Sequence, residues 1–109
     1  MSYSVKSILV FEKQAKKLVK KYPSLRKELL DLVQELKEKP EQGIPIGKHC
    51  FKVRIAIASK GKGKSGGARV ITNFIVTDNT VYLLSIYDKA EKGNITDAEL
   101  DALLQFIPA

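Results

Sequence analysis

Residues 51–58 read Phe-Lys-Val-Arg-Ile-Ala-Ile-Ala. Phe51, Val53, Ile55 and Ile57 alternate with Lys52, Arg54, Ala56 and Ala58, and a period of two puts the first set on one face of a β-strand and the second on the other. The first face is core. The second carries two cations two residues apart, hence about 7 Å from one another, a separation that suits neighbouring phosphate oxygens. Taken alone, the pair could equally be two ordinary charges on a solvated strand face, so the surrounding sequence has to decide.

On the N-terminal side of this strand, Gly43, Pro45 and Gly47 form a connector. Before it, Phe11, Ala15, Leu18, Val19 and Tyr22 recur at helical spacing, with Lys13, Lys16, Lys17 and Lys20 on the other faces. Pro23 ends that helix. Ser24 is the expected cap of a second helix, whose apolar stripe is Leu25, Leu29, Leu32, Val33 and Leu36 and which Pro40 closes. Tyr3 and Val5 alternate with Ser4 and Lys6, and Ile8, Leu9 and Val10 run together, as expected for a strand that feeds the first helix. On the C-terminal side, residues 69–76 and 80–87 are rich in β-branched and aromatic side chains. Asp78-Asn79 between them predicts a hairpin with a tight turn. Thr96 and Glu99 predict a capping box ahead of Leu100, Leu103, Leu104 and Ile107, with Pro108 as the stop. The expected fold is α+β, one domain over residues 1–109: an N-terminal strand, a helical hairpin, a three-stranded antiparallel meander and a C-terminal helix.

Charge supports a functional face on the meander. The chain has 19 basic and 12 acidic residues, net +7, and between residues 42 and 77 there is no Asp or Glu at all. That stretch carries Lys48, Lys52, Arg54, Lys60, Lys62, Lys64 and Arg69, enough to account for the whole net charge. A block this concentrated marks a polyanion-facing surface, and Lys48, Lys60, Lys62 and Lys64 are candidate RNA contacts. Arg54 and Arg69 are both expected to project from the sheet into solvent. Lys89 follows the last strand, so an antiparallel sheet could gather Lys52, Arg54, Arg69 and Lys89 around one concavity. At 109 residues and 44% hydrophobic content the chain can form a core without staples. Its single cysteine, Cys50, gives no internal disulfide. No apolar run approaches the ~20 residues that span a bilayer, and the N-terminus lacks signal-peptide order. A cytoplasmic protein is expected.

Other motifs are weaker. Gly63-Lys64-Ser65 lies in a glycine-lysine stretch, but a phosphate-binding loop needs a glycine where the chain has Ala58 and a helix where it has Arg69-Val70-Ile71. Nucleotide triphosphate binding is excluded on that ground, and residues 61–67 read as a mobile basic arm. His49 has no acidic neighbour to orient it and reads as structural or exposed. With Cys50 adjacent it lacks the spaced partners of a metal site, so no metal or cofactor is expected. Tyr82 and Tyr87 have opposite parity on the last strand and should face opposite sides unless a bulge intervenes. Tyr87, two residues before Lys89, is the better candidate for stacking on a base.

Four stretches carry a resemblance that spans nearly the whole chain: Phe11 to Leu18, Phe51-Lys52-Val53-Arg54-Ile55-Ala56, the loop from Lys60 through Gly66-Gly67-Ala68-Arg69 to Ile71, and Tyr82-Leu-Leu-Ser-Ile-Tyr87-Asp-Lys89. Together they resemble the RelE/ParE toxin superfamily, in particular the HigB-like branch of type II toxin-antitoxin systems. The resemblance implies a RelE-like microbial RNase fold and a metal-independent, ribosome-dependent mRNA endonuclease that inhibits translation. It implies cleavage by attack of the 2′-OH on its own 3′ phosphate. Lys52 and Arg54 would handle the 2′-OH and hold the phosphate, Arg69 would stabilise the developing phosphorane, and Lys89 would serve the leaving 5′ oxygen. It also implies a cognate antitoxin, contact with operator DNA only through that antitoxin, and no membrane partner. One departure stands out: RelE itself has a stacking tyrosine beyond the late basic residue, and no Tyr follows Tyr87 here. The alternative within the superfamily is a ParE-type toxin that inhibits DNA gyrase without nuclease activity. A non-toxic RNA-binding module would explain the charge but not cations clustered at strand ends.

Overall fold

Leu25, Leu32 and Leu36 are almost completely shielded from solvent, and they fix where the helices go. The computed structural model describes residues 2–108. Strand β1 (Ser4–Ser7) leads into helix α1 (Leu9–Lys21), and α2 (Leu25–Glu38) follows after a three-residue connection. Both lay their leucines, with Phe11 and Leu18, against one face of a five-stranded sheet. The other strands are β2 (Ile44–Gly47), β3 (Cys50–Ile55), β4 (Ala68–Ile75) and β5 (Thr80–Asp88), followed by helix α3 (Asp97–Leu104). Spatial order is β1-β5-β4-β3-β2. Only β1 with β5 is parallel; all other neighbours are antiparallel.

This is the expected α+β architecture with local corrections. The meander has four strands, because Ile44–Gly47 pairs with β3 although Pro45 and Gly47 mark it as a connector. Proline is tolerated there since β2 is an edge strand with no outer neighbour. The N-terminal strand stops at Ser7: Leu9 is already helical and 58% exposed, while Ile8 is buried. Ser24 does not cap α2. Its backbone is helical, and its hydroxyl is buried without a partner among the described residues. The Thr96–Glu99 capping box of α3 forms in full. The β4–β5 connection is a turn of 3-10 helix at Val76–Asp78, closed by Asn79 at φ 50°, rather than a two-residue turn, and Ile75 pairs with Thr80.

Two backbone devices matter for the site. First, the β4–β5 register slips between Ile71 and Thr72, so that Ile71 faces Ser85 and Thr72 faces Leu83. The bulge leaves Leu84 extra, and it brings Tyr82 opposite Asn73 and Tyr87 opposite Arg69. Asn73 and Arg69 are four apart on β4, so both tyrosines occupy one face despite their sequence parity. Second, β2 and β3 join through Lys48 and His49, both at positive φ (56° and 61°). This is a two-residue turn of the kind usually made by Asn-Gly. Asn73 holds it: its amide donates to the carbonyls of Lys48 (3.0 Å) and His49 (3.4 Å), and the Phe74 N–H donates to His49 as well.

Candidate nucleic-acid interface

The β3–β4–β5 register builds two rows across the sheet: Arg54, Arg69 and Tyr87 in one, Lys52, Ile71 and Ser85 in the next. All six share one face of the sheet, opposite the face that carries Val53, Val70 and Ile86. Helix α3 stands over the same face. Leu103 and Phe106 line a cleft of about 260 Å³ with Ser85 and Tyr87, and Thr96, Asp97 and Leu100 line another of about 230 Å³ with Ile46 and Lys52. At the β3 edge, where β2 has ended, Lys52, Arg54 and Lys64 form one wall of a groove of about 470 Å³. Glu28, Asp31 and Glu35 of α2 line its other side.

Arg54 is exposed, as expected from its alternation, and Lys52 is half-buried. Arg69 is not exposed. It is 3% accessible, and its guanidinium donates to the backbone carbonyls of Lys64 (2.9 Å), Ser65 (3.1 Å) and its own neighbour Ala68 (3.2 Å). Burial holds its pKa below the ordinary guanidinium value, Arg54 across the strand pair lowers it further, and Tyr87 opposes both. The side chain remains charged, since arginine does not lose its proton in proteins. Three of its five N–H donors are thus engaged by the chain.

Those bonds change the reading of the basic loop. Residues 58–67 are two short turns of 3-10 helix, at Ala58–Lys60 and Lys64–Gly66, pinned at both ends rather than a free arm. Arg69 grips the second turn. Gly67 passes so close to β3 that a Cβ would collide with the Ile55 carbonyl. Beside the first turn, Ile57 is buried, and the Lys60 ammonium lies 2.7 Å from the buried Asp88 carboxylate. Lys62 and Lys64 stay exposed.

Lys60 is therefore not an open RNA contact. Its Asp88 partner also accepts from the Ala90 N–H (3.0 Å) and the Tyr22 hydroxyl (3.3 Å), and the ammonium sits 5.8 Å from the Tyr22 ring centre. Burial pushes the Asp88 carboxyl up, yet these donors, Lys60 foremost, outweigh it and hold the group below the usual carboxylate range. Lys48 is exposed but paired with Asp101 of α3, tying the β2–β3 turn to the terminal helix. Lys89 is exposed. Its backbone N–H donates to Gly67, which places it at the Arg69 end of the sheet, while its ammonium turns to the Gly93 carbonyl (3.2 Å). It does not line the groove that holds Lys52, Arg54 and Lys64.

Tyr87 is 7% accessible, with its hydroxyl buried and unpartnered among the described residues. Burial raises its pKa, and Arg69 pulls it back. A base could stack on this ring only after the segment carrying Lys92, Ile95 and α3 moved aside. His49 is exposed and Cys50 buried. Among the described residues no three His, Cys, Asp or Glu side chains gather as metal ligands, and no helix is long and apolar enough to cross a membrane.

Sequence reasoning missed Asp88, Gln14 and Asn73. Gln14 accepts from the Ser85 hydroxyl (2.9 Å) and the Ile86 N–H (3.0 Å), so α1 seals the β5 edge where β1 runs out. A signal did exist for Asp88: it is the one acid in a strand otherwise free of charge.

A sheet backed by two helices, with cations on the opposite face and a short helix lying over them, defines a small α+β protein with a basic working surface. The chain belongs to the RelE toxin family: residues 8–107 match the family described as the RelE toxin of the RelE/RelB toxin-antitoxin system. Its fold is similar to that of the Escherichia coli toxin RelE, solved as a double arginine-to-alanine mutant in the free state. That match has a TM-score of 0.65 at 16% identity, covering 99% of this chain and 100% of that one. A toxin-antitoxin complex from Mycobacterium tuberculosis also matches, with a TM-score of 0.62 at 17% identity over 81% of this chain and 99% of that one.

Proposed function

We propose that this RelE-family toxin is a ribosome-dependent mRNA endonuclease of the HigB-like branch, inhibiting translation by cutting RNA without a metal. The observation that supports it most directly is the pairing of Arg54 with Arg69 across adjacent strands, with Lys52 two residues along and Lys64 in the same groove. Like charges opposite one another destabilise a sheet; neither arginine forms an ion pair among the described residues, although Glu28, Asp31 and Glu35 line the far side of the groove, and an RNA phosphate would supply the counter-charge. In the proposed reaction the 2′-oxygen forms a bond to its adjacent phosphorus, the 2′ proton passes to a basic group, and the P–O5′ bond breaks. The products are a 2′,3′-cyclic phosphate and a 5′-hydroxyl that takes up a proton. Negative charge grows on the non-bridging oxygens throughout, and preorganised cations there contribute several kcal/mol.

Lys52 and Arg54 are assigned to the 2′-OH and the phosphate. Arg69 has a double part: its charge lies opposite Arg54 on the neighbouring strand, and its hydrogen bonds hold the loop that presents Lys62 and Lys64. Lys89 serves the leaving oxygen once its ammonium is released from Gly93. A cognate antitoxin covers the basic face or displaces α3, whose eight residues and two buried leucines are a small anchor, and the complex meets operator DNA through the antitoxin. The gyrase-inhibiting alternative is not favoured, because the matching family is that of RelE. Induction in bacteria followed by mapping of new RNA 5′ ends tests the proposal. Cuts in phase with codons are expected, and DNA breaks without RNA cuts would replace it with the gyrase reading.

A further inference from the structure

The acid-free stretch around β3 is not the only basic block. Residues 1–27 hold eight cations against a single acid, Glu12, a local excess as large as that of residues 42–77; acidic residues at 28–41 and 78–101 hide it in the total. Five of the eight, Lys13, Lys16, Lys17, Lys20 and Lys21, fall at i, i+3, i+4, i+7 and i+8 on α1, and all five are exposed. They form one continuous stripe about 12 Å long.

An ordinary solvated helix face mixes signs, as α2 does with Arg26, Lys27, Glu28, Asp31, Glu35 and Lys37. On α1 every neighbouring pair in the stripe is like-charged, which costs helix stability. Glu12 is turned to the Ser7 hydroxyl at 2.7 Å. Among the described residues only Lys21, at the C-terminal end, meets an acid, Glu91 at 3.1 Å. There Lys17 and Lys21 open onto a cleft of about 410 Å³ that they share with Tyr87, Asp88 and Lys92. At that end the stripe lies beside the end of β5.

We infer that the α1 lysine stripe is a second RNA-binding surface, one that docks the phosphate backbone of double-helical RNA while the β3–β4 face takes the strand to be cut. This extends the RNA-directed reading of the sheet and rests on it for the choice of polyanion. Single-strand binders interleave cations with aromatic stacking platforms, and the stripe carries none. A straight row of ammonium groups fits instead the regular phosphates of a rigid duplex, which is read by shape and backbone. A lipid surface is the weaker fit: helices that lie in a bilayer interface insert an apolar face, and that of α1 is committed to the core through Phe11 and Leu18.

The test compares the full-length chain with a Lys13→Gln/Lys16→Gln/Lys17→Gln/Lys20→Gln variant and with Arg54→Gln. The probes are a blunt RNA duplex of about 16 base pairs, a short single-stranded RNA, and vesicles containing phosphatidylserine. Glutamine keeps helix propensity; if the fourfold variant fails to fold, Lys16→Gln/Lys20→Gln should give half the effect. The expected result is a loss of duplex affinity on the order of 100-fold at about 0.1 M salt in the fourfold variant, with the log-log salt slope flattened by about 3. Single-strand binding should stay within a few fold, and Arg54→Gln should do the reverse. Unchanged duplex affinity in the fourfold variant, or a loss confined to vesicles, overturns the inference. Loss of single-strand binding in neither variant would sink the sheet reading and leave the stripe standing.

Discussion

Arg54 and Arg69 face each other across one strand pair, share a sequence logic and have opposite fates. Arg54 is at the edge, where β2 has already ended, and reaches solvent over the groove lined by α2. Arg69 is on a central strand, beneath a loop that curls back over it, and spends its guanidinium on backbone carbonyls. A charge at an open edge can bind a ligand. A charge under a loop builds the surface on which the ligand binds. The same division separates Lys62 and Lys64, which are presented outward, from Lys60, whose charge is consumed by Asp88.

Arg69→Ala gives the largest expected effect and tests that comparison most sharply. It should lower RNA cleavage by on the order of 100-fold or more and also destabilise the fold by about 1–3 kcal/mol, because loop carbonyls lose their donors. Arg54→Ala should match it in cleavage with an unchanged melting temperature. Equal melting temperatures for the two variants would show that the buried guanidinium is not holding the loop. Cleavage of a model RNA and thermal unfolding, run side by side, provide both readouts.

The Lys60–Asp88 pair comes next. Asp88→Asn should destabilise by about 2–3 kcal/mol at neutral pH, since it leaves a shielded ammonium without its counter-ion. Asp88 has a folded-state pKa below its unfolded value, so its contribution is fully present above about pH 4 and is lost as pH falls through the depressed folded value. The wild-type and Asp88→Asn melting curves should therefore converge in acid, which differential scanning fluorimetry across pH will show. A gap that persists unchanged at the lowest pH would mean the pair contributes packing rather than charge.

Smaller effects belong to the β2–β3 turn. Asn73→Ala should cost about 1–2 kcal/mol by removing the side-chain donor of the Lys48 carbonyl, while the His49 carbonyl keeps the Phe74 N–H. His49→Gly should stabilise by a few tenths of a kcal/mol, the left-handed strain slightly exceeding the entropy cost of glycine. Cleavage should remain within a few fold in the His49 variant, confining its role to the turn. A large loss of cleavage there would bring the histidine back as a chemical group.

Periodicity made both amphipathic helices, the β3 strand, the capped terminal helix and the α+β class readable, because each is a local pattern of apolar burial. It also placed Lys52 and Arg54 on one face. What it could not place was anything that depended on a neighbour. Strand β2 escaped because Pro45 and Gly47 deny it a strand pattern, while an edge position makes them harmless. The face of Tyr87 depended on one extra residue, Leu84, and a bulge has no local signature in a run such as Tyr82–Tyr87.

The sequence by itself determined both long helices, the capped terminal helix, most of the strands and the concentration of positive charge, since burial periodicity and charge count are properties of the chain alone. The tertiary structure alone decided which cations remain available. Strand register set Arg54 against Arg69, loop closure buried Arg69, and a strand end brought Asp88 to Lys60. The physical reason is that a side chain's charge is fixed by its chemistry, but its exposure and its partner are set by residues far away in sequence.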